Sequence, residues 1–213
     1  MEHESNRIPL FPLPAVLMPG TPLPLHIFEE RYRLLLRRCI DSGSEFGVVY
    51  QTDSEISRVG CSAQIIDVTG TYDDGRSDIM THGKRRFRIV QVHDELPYLE
   101  GSVEYFDDEP KSDDVSGLVT AGIALMVRVS RLAQVKLDAD FLRLISPEEI
   151  SFVLAGTCTS SPAERQDLIE MRSTRERLER SLNCLERSAR QMSFQKSLET
   201  ANGGKFDPSN YRN

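Results

Sequence analysis

Proline threads the first apolar stretch of the chain. Ile8, Leu10, Phe11, Leu13, Val16, Leu17 and Met18 share the first 24 residues with six of the eleven prolines, Pro9, Pro12, Pro14, Pro19, Pro22 and Pro24. Proline brings no N–H to a sheet ladder, so Ile8–Leu25 reads as an edge strand or extended segment, broken by a turn at Pro19-Gly20. The apolar side chains are too many for a free tail, and most must pack. Glu29–Ile40 then predicts a helix of about three turns. Acids open it, basic residues lie toward its end as the helix dipole favours, and Gly43 is placed as its stop. From there to residue 107 the pattern is that of strands: Phe46–Gln51, Ser62–Tyr72, Ile79–His82, Arg86–His93 and Leu99–Phe106. Asp73-Asp74-Gly75 marks a hairpin, because a tight two-residue loop needs positive φ. Short strands around one early helix predict a small, partly closed β-barrel.

Beyond the polar, acidic stretch Asp107–Asp114 the periodicity is helical throughout. Val115, Leu118, Val119, Gly122, Ile123, Met126, Val129 and Ala133 recur at helical spacing. Ser146-Pro147-Glu148-Glu149 and Ser161-Pro162-Ala163-Glu164 are capping boxes with proline at the first helical position. Leu168, Met171, Arg175, Leu178, Leu182, Leu185, Ala189 and Met192 step alternately by three and four, predicting one long last helix with a single apolar seam. Glu176–Arg180 and Glu186–Arg190 are i,i+4 pairs on its wet face. The seam suits either a partner helix or an intrachain bundle, so monomer and dimer both stay open; its shortness and the neighbouring helices favour the bundle. The expected fold class is α+β. A barrel with one inserted helix spans residues 6–108, a helical bundle 111–200 and a frayed tail 201–213, with Asp107-Asp108-Glu109 a solvated linker between barrel and bundle.

Charge narrows the functions. The 213 residues carry net charge −7, but residues 1–110 hold −8 and residues 111–213 hold +1. An acidic first half argues against polyanions, since nucleic-acid affinity comes mostly from neutralising phosphates. No run approaches the ~20 apolar residues of a membrane span, and the first residues lack the basic and apolar regions of a secretion signal, so no membrane role is expected and the cytoplasm is the default. Cys39, Cys61, Cys158 and Cys184 contain no C-x-x-C pair and read as buried, inert thiols.

Catalytic patterns are missing. The sequence has no phosphate-binding glycine loop, no G-x-S-x-G, no H-E-x-x-H and no G-x-G-x-x-G. His3, His26, His82 and His93 form no i,i+4 pair, so neither a metal site nor a cofactor is expected, and His26 reads as a hydrogen-bonded packing residue. A hydrolase using Asp73, Asp74 or His82 ranks last among the readings, because the two aspartates fit a turn. Lys84-Arg85-Arg86-Phe87-Arg88 interleaves basic residues with an aromatic, which could hold RNA with Phe87 stacked on a base. The same alternation is that of any half-buried strand.

Several motifs together resemble a known family. Ile8-Pro9-Leu10-Phe11-Pro12-Leu13-Pro14-Ala15-Val16-Leu17-Met18-Pro19-Gly20, followed by Leu23-Pro24-Leu25-His26-Ile27-Phe28-Glu29-Glu30-Arg31-Tyr32, is similar to the opening of the N-terminal domain of Lon proteases. Phe46-Gly47-Val48-Val49-Tyr50, the Val59-Gly60 strand with its Asp74-Gly75-Arg76 hairpin, and Gly83–Ile89 strengthen the likeness, which covers about residues 6–195 and extends to a domain of cereblon-type proteins. The resemblance implies a PUA-like barrel joined to a helical bundle, and a role in recognising protein substrates. In full Lon proteases an ATPase and a serine–lysine protease module follow, so a chain ending at Asn213 is expected to be a stand-alone, non-enzymatic module. It would bind unfolded or exposed protein segments, with a protease system as a possible associate. Binding such segments takes an apolar groove or strip. The candidate residues are Leu13, Val16, Leu17 and Met18 with Tyr32 beside them; the same side chains could instead face the core. RNA binding through Lys84, Arg85, Arg86, Phe87 and Arg88 is the alternative.

Overall fold

The computed structural model describes residues 6–110, 114–158 and 161–201. Lys111–Asp113 of the expected linker and the tail beyond residue 201 lie outside them. Six strands and six helices follow in order: β1 (Asn6–Leu13), β2 (Pro22–Ile27), α1 (Glu30–Ser42), β3 (Phe46–Gln51), β4 (Ile56–Thr71), β5 (Ser77–His93), β6 (Glu100–Tyr105), α2 (Ser116–Ala133), α3 (Ala139–Leu142), α4 (Pro147–Thr157), α5 (Pro162–Glu170) and α6 (Thr174–Ala201). The fold is α+β, a barrel with α1 inserted followed by a helical bundle that ends in a long helix.

The strand order is β2-β5-β4-β3-β1-β6, and a further β5–β6 pairing closes the last five strands into a ring. The 17-residue β5 makes this possible, pairing with β2 through its first half and with β6 through its second. Sequence reading splits it at Gly83-Lys84-Arg85, yet the strand runs through as one piece. Gly83 keeps the pairing tight, because its N–H donates to Thr21 O at 2.9 Å and its O accepts from Gly20 N at 2.9 Å. The Pro19-Gly20 turn is thereby docked on the barrel, with Gly20 at φ +74°. β2 pairs with β5 alone and is an edge strand, as its prolines favour, but β1, which carries Pro9 and Pro12, is not: it lies between β3 and β6, and its prolines are tolerated because Asn6–Pro9 pair with β6 and Leu10–Leu13 with β3.

α1 ends as expected at Gly43, in the left-handed region at φ 63°. Both capping boxes form, with Ser146 Oγ accepting from Glu149 N–H and Ser161 Oγ from Glu164 N–H, each at 3.2 Å. The expected single seam does not hold. Met171-Arg172-Ser173 interrupts the helix, and Ser173 Oγ accepts from the Glu176 N–H at 3.3 Å to start α6 afresh. Leu168 packs in the core of the barrel, whereas Leu178 and Leu185 pack with Ile123, Met126, Ile150 and Leu154 inside the bundle. The α6 seam from Leu178 to Leu185 is therefore covered within the chain. Barrel and bundle share one core, in which Phe152, Ala155, Leu168 and Ile169 meet Leu17, Met18, Phe11 and Tyr32.

Candidate functional site

Where the end of β1 faces β2, the surface opens into an apolar groove of about 370 Å³. Its floor is a stack of Phe11 on Tyr32, ring centroids 4.1 Å apart at 30°. One wall is Pro12-Leu13-Pro14 and the other Pro24-Leu25-His26-Ile27-Phe28. The alternation of β2 turns Ile27 into the core, and Phe28, which follows it, stands 59 % exposed. Burial pushes the Tyr32 phenol up, keeping it neutral under the groove.

The rim is polar: Gln51 lines it, and most of its charged groups are paired with one another. Arg31 lies 2.8 Å from Glu29 and 4.5 Å over the Tyr32 ring, a pair exposed enough to contribute little to stability. The His26 Nδ1–H donates to Asp78 at 2.6 Å, and the Tyr72 hydroxyl donates to the other oxygen of the same carboxylate at 2.6 Å. The Tyr72 hydrogen bond, then that of His26, holds the Asp78 carboxyl below the usual range. An apolar trough with a neutralised rim suits apolar side chains and offers no nucleophile.

The structure divides the sequence-derived candidates. Leu13 and Tyr32 line the groove, the latter as its floor at 7 % exposure. Val16 is half-buried outside it, and Leu17 (3 % exposed) and Met18 (1 %) lie in the shared core, where α4 packs on Met18 at Gly156. Pro24, Leu25, His26 and Phe28 escaped the sequence reading; the signal was present in Leu25–Phe28, an apolar run ending an edge strand just before a helix.

The basic run is split by burial, and its two central residues are withdrawn from the surface. Phe87 is fully buried against Gly47 and Gly60, so no base can stack on it. Arg86 is withdrawn as well, its Nη1 donating to the carbonyls of Ile169 and Met171 and its Nη2 to Asp108 at 2.6 Å. The register is unbroken from Arg86 to Arg88, so strand alternation sends Phe87 into the barrel core with Leu10, Val49 and Ile89 and sends Arg86 to the opposite face, which the bundle side of the chain covers. Lys84, Arg85 and Arg88 remain exposed, with Arg85 lying 4.5 Å over Tyr105. The expected solvated linker is likewise corrected: the Asp108 side chain is 6 % exposed and held by Arg86, Arg177 and Thr174. Asp74 is a turn residue, accepting from the backbone and side chain of Arg76 around Gly75. All four cysteines are buried, and burial pushes the Cys39, Cys61 and Cys158 thiols up. Among the described residues no cluster of histidine, cysteine and carboxylates is arranged to hold a metal.

Comparison with known proteins agrees with the fold. The model of the substrate-binding domain of ATP-dependent protease La (Lon) matches residues 7–187. The Lon protease of Parabacteroides distasonis is 25 % identical over 93 % of this chain and 26 % of its own length. Lon protease 2 of Myxococcus xanthus is 24 % identical over 96 % of this chain and 26 % of its own length. This chain thus spans about a quarter of these relatives. Among solved structures, a Lon N-terminal domain protein from Xanthomonas campestris superposes with TM-score 0.63 at 30 % identity, covering 84 % of this chain and 98 % of its own. The N-terminal domain of a Mycobacterium avium complex Lon protease reaches TM-score 0.70 at 16 % identity, over 85 % of this chain and 98 % of that one, a likeness of fold. With its barrel, its bundle and nearly its whole described length matched, the chain belongs to the family of Lon substrate-binding domains.

Proposed function

We propose that this chain binds exposed apolar segments of other proteins in the β1–β2 groove and acts as a recognition module without catalysis of its own, working in the cytoplasm beside a proteolytic system. The observation that carries this reading is Phe28, a large aromatic left 59 % exposed at the lip of an otherwise apolar trough. What sets Phe28 apart from other exposed apolar residues is its place on a concave apolar groove, the kind of surface that takes apolar side chains. The family's role in substrate binding points the same way. Such a groove gives low affinity and broad selectivity, because it reads bulk and apolarity and makes few directional contacts.

The test is fluorescence anisotropy of a labelled, permanently unfolded protein titrated with this chain. A labelled single-stranded RNA runs beside it, each at low and high salt. Saturable, salt-tolerant binding of the unfolded protein, weakened on the order of tenfold by Phe28→Asp, is the expected result. Binding of RNA alone, lost steeply with salt, would overturn the reading.

A further inference from the structure

Between α5 and α6 lies a cavity of about 500 Å³ that shares no residue with the β1–β2 groove. Cys184 of α6 lines it, with Arg180 and Arg187 about one turn to either side on the same face of the helix. Behind Cys184 stands Cys158, the residue that ends α4, fully buried and not part of the cavity wall. The two thiols face one another across the packing of α4 on α6, inside the apolar cluster of the bundle. Cys158 Sγ–H is held in that place by two carbonyls, Leu154 O of its own helix at 3.3 Å and Ser181 O of α6 at 3.5 Å. Ser181 lies one turn before Cys184.

A third group belongs to the pair. Ser181 Oγ is buried beside the Cys158 thiol and has no hydrogen-bond partner among the described residues. A buried hydroxyl left unpaired costs stability, so its position calls for a reason. Burial keeps Cys158 in the thiol form, and only Cys184 of the pair opens to the cavity, so a reagent entering there meets Cys184 first. Cys39 and Cys61 stand apart from this arrangement, packed among apolar side chains in the core of the barrel.

We propose that Cys158 and Cys184 form an oxidisable dithiol, a modification site whose oxidant is a small hydroperoxide admitted through the α5–α6 cavity. The Cys184 sulfur attacks hydrogen peroxide: an S–O bond forms, the O–O bond breaks, and the leaving hydroxide takes the thiol proton and departs as water. The Cys158 sulfur then attacks the sulfenic acid at Cys184. The S–S bond forms, the S–O bond breaks, and a second water leaves with the Cys158 proton, which Ser181 Oγ is placed to pass on. Two thiols are oxidised to one disulfide, and the peroxide is reduced to water. The new bond ties the end of α4 to the middle of α6. Because α4 also carries Phe152 and Ala155 into the core shared with the barrel, the bond fastens the bundle where it meets the barrel, and a thiol reductant releases it.

The experiment exposes the intact, folded chain to a modest excess of hydrogen peroxide, removes the peroxide, denatures the chain in N-ethylmaleimide and maps the cysteine peptides by mass spectrometry. The expected result is a Cys158–Cys184 cross-linked peptide that dithiothreitol separates, with Cys39 and Cys61 recovered as alkylated thiols. The linked chain is expected to unfold about 5 °C or more above the reduced one, since the cross-link restricts the unfolded state. In Cys158→Ala the sulfenic acid persists at Cys184 and is trapped by dimedone, whereas in Cys184→Ala the thiol of Cys158 stays unmodified. The mapping and the melting need no variant, so they decide the matter even where a substitution disturbs folding. The proposal is overturned if the folded chain forms no Cys158–Cys184 link, if the link appears only in urea, or if Cys39 and Cys61 oxidise as readily. A linked chain that melts no higher than the reduced one overturns the fastening of α4 to α6.

Discussion

Arg177 grips Asp108 with two guanidinium nitrogens, Nη2 to Oδ2 at 2.6 Å and Nη1 to Oδ1 at 3.1 Å. The Arg177 side chain is wholly buried, and the carboxylate is reached a second time by Arg86 at 2.6 Å. Asp108 is thus a single anion between two buried cations, one on β5 of the barrel and one on α6 of the bundle. Further guanidinium donors go to the carbonyls of Ile169 and Met171 and to Ser151 Oγ. Phe152 packs against both cations, 3.7 Å from Arg177 and 4.8 Å from Arg86. The same contacts explain the break before α6: Met171 O accepts from both arginines, and Arg172 O accepts from Glu109 N–H at 2.8 Å, so these carbonyls serve the barrel–bundle junction.

Asp108→Asn removes the one fully engaged anion and leaves two buried guanidiniums facing each other, with only half-buried Glu148 nearby at 3.7 Å from Arg86. Breaking a buried pair in this way costs about 3–5 kcal/mol. Arg177→Met is expected to cost less, because Asp108 keeps Arg86 and methionine fills the space beside Phe152. Urea unfolding of the two variants checks the order. Equal losses would mean that Arg86 alone does not satisfy the carboxylate.

The network also sets the acid limb of stability. Burial would push the Asp108 carboxyl up, but hydrogen bonds from Arg177 and Thr174 and the charges of both arginines outweigh it and hold the group below the ordinary range. Unfolded aspartate titrates near about 3.9, so the native state binds fewer protons there. The contribution of Asp108 is complete above that value and is lost as pH falls through its lower folded value. Glu148 has the opposite sign: burial, then the charge of Asp108, raises it, so its contribution is present below the unfolded value of about 4.3 and declines as pH rises through the folded one. Unfolding followed between about pH 6 and pH 2 is expected to show a shallower acid loss in Asp108→Asn than in the parent. Glu148→Gln removes the decline on the rising side.

Local chemistry was legible and long-range pairing was not. Gly43 and the boxes at Ser146 and Ser161 could be placed because each cap is completed within a few residues. Ser173-Thr174-Arg175-Glu176 has the same form, but the three-and-four spacing from Leu168 onward masked it, since Met171 and Leu178 keep that spacing across the break. Asp108 reads as linker by composition, because its partners Arg86 and Arg177 are distant in sequence. The groove was half visible. Leu13 and Tyr32 could be named from the opening segment and the helix after it, whereas Leu17 and Met18 are buried in a core shared with α4 and α5, which come from the far half of the chain.

That covering turns two apolar positions of the opening segment into opposite probes. Leu17→Asp places a charge in the shared core and is expected to cost several kcal/mol, on the order of the tail of large substitution effects, through folding and not through binding. Phe28→Asp alters an exposed side chain and is expected to stay within about 0.5 kcal/mol in stability while losing affinity for unfolded protein. Thermal unfolding and anisotropy on both variants separate the roles. Normal folding of Leu17→Asp would place that side chain on the surface.

Gly43 and Gly83 need glycine for different reasons, and alanine tells them apart. Gly43 stands at φ +63° with nothing within 4 Å of an added Cβ, so Gly43→Ala meets only the left-handed backbone penalty, about 1–2 kcal/mol. A Cβ at Gly83 would overlap Met18 O and press Leu17 Cγ at 3.2 Å. Neither neighbour can give way: the carbonyl belongs to the docked Pro19-Gly20 turn, and Leu17 is buried in the shared core. Gly83→Ala must therefore lift the turn from β5, losing the Gly20–Gly83 and Gly83–Thr21 hydrogen bonds together with part of the core contact. It is expected to cost more than Gly43→Ala, about 3 kcal/mol or above. Amide exchange distinguishes the two further. Gly43→Ala leaves the protection of Gly20 and Gly83 N–H in place, whereas Gly83→Ala abolishes it even where the barrel stays folded.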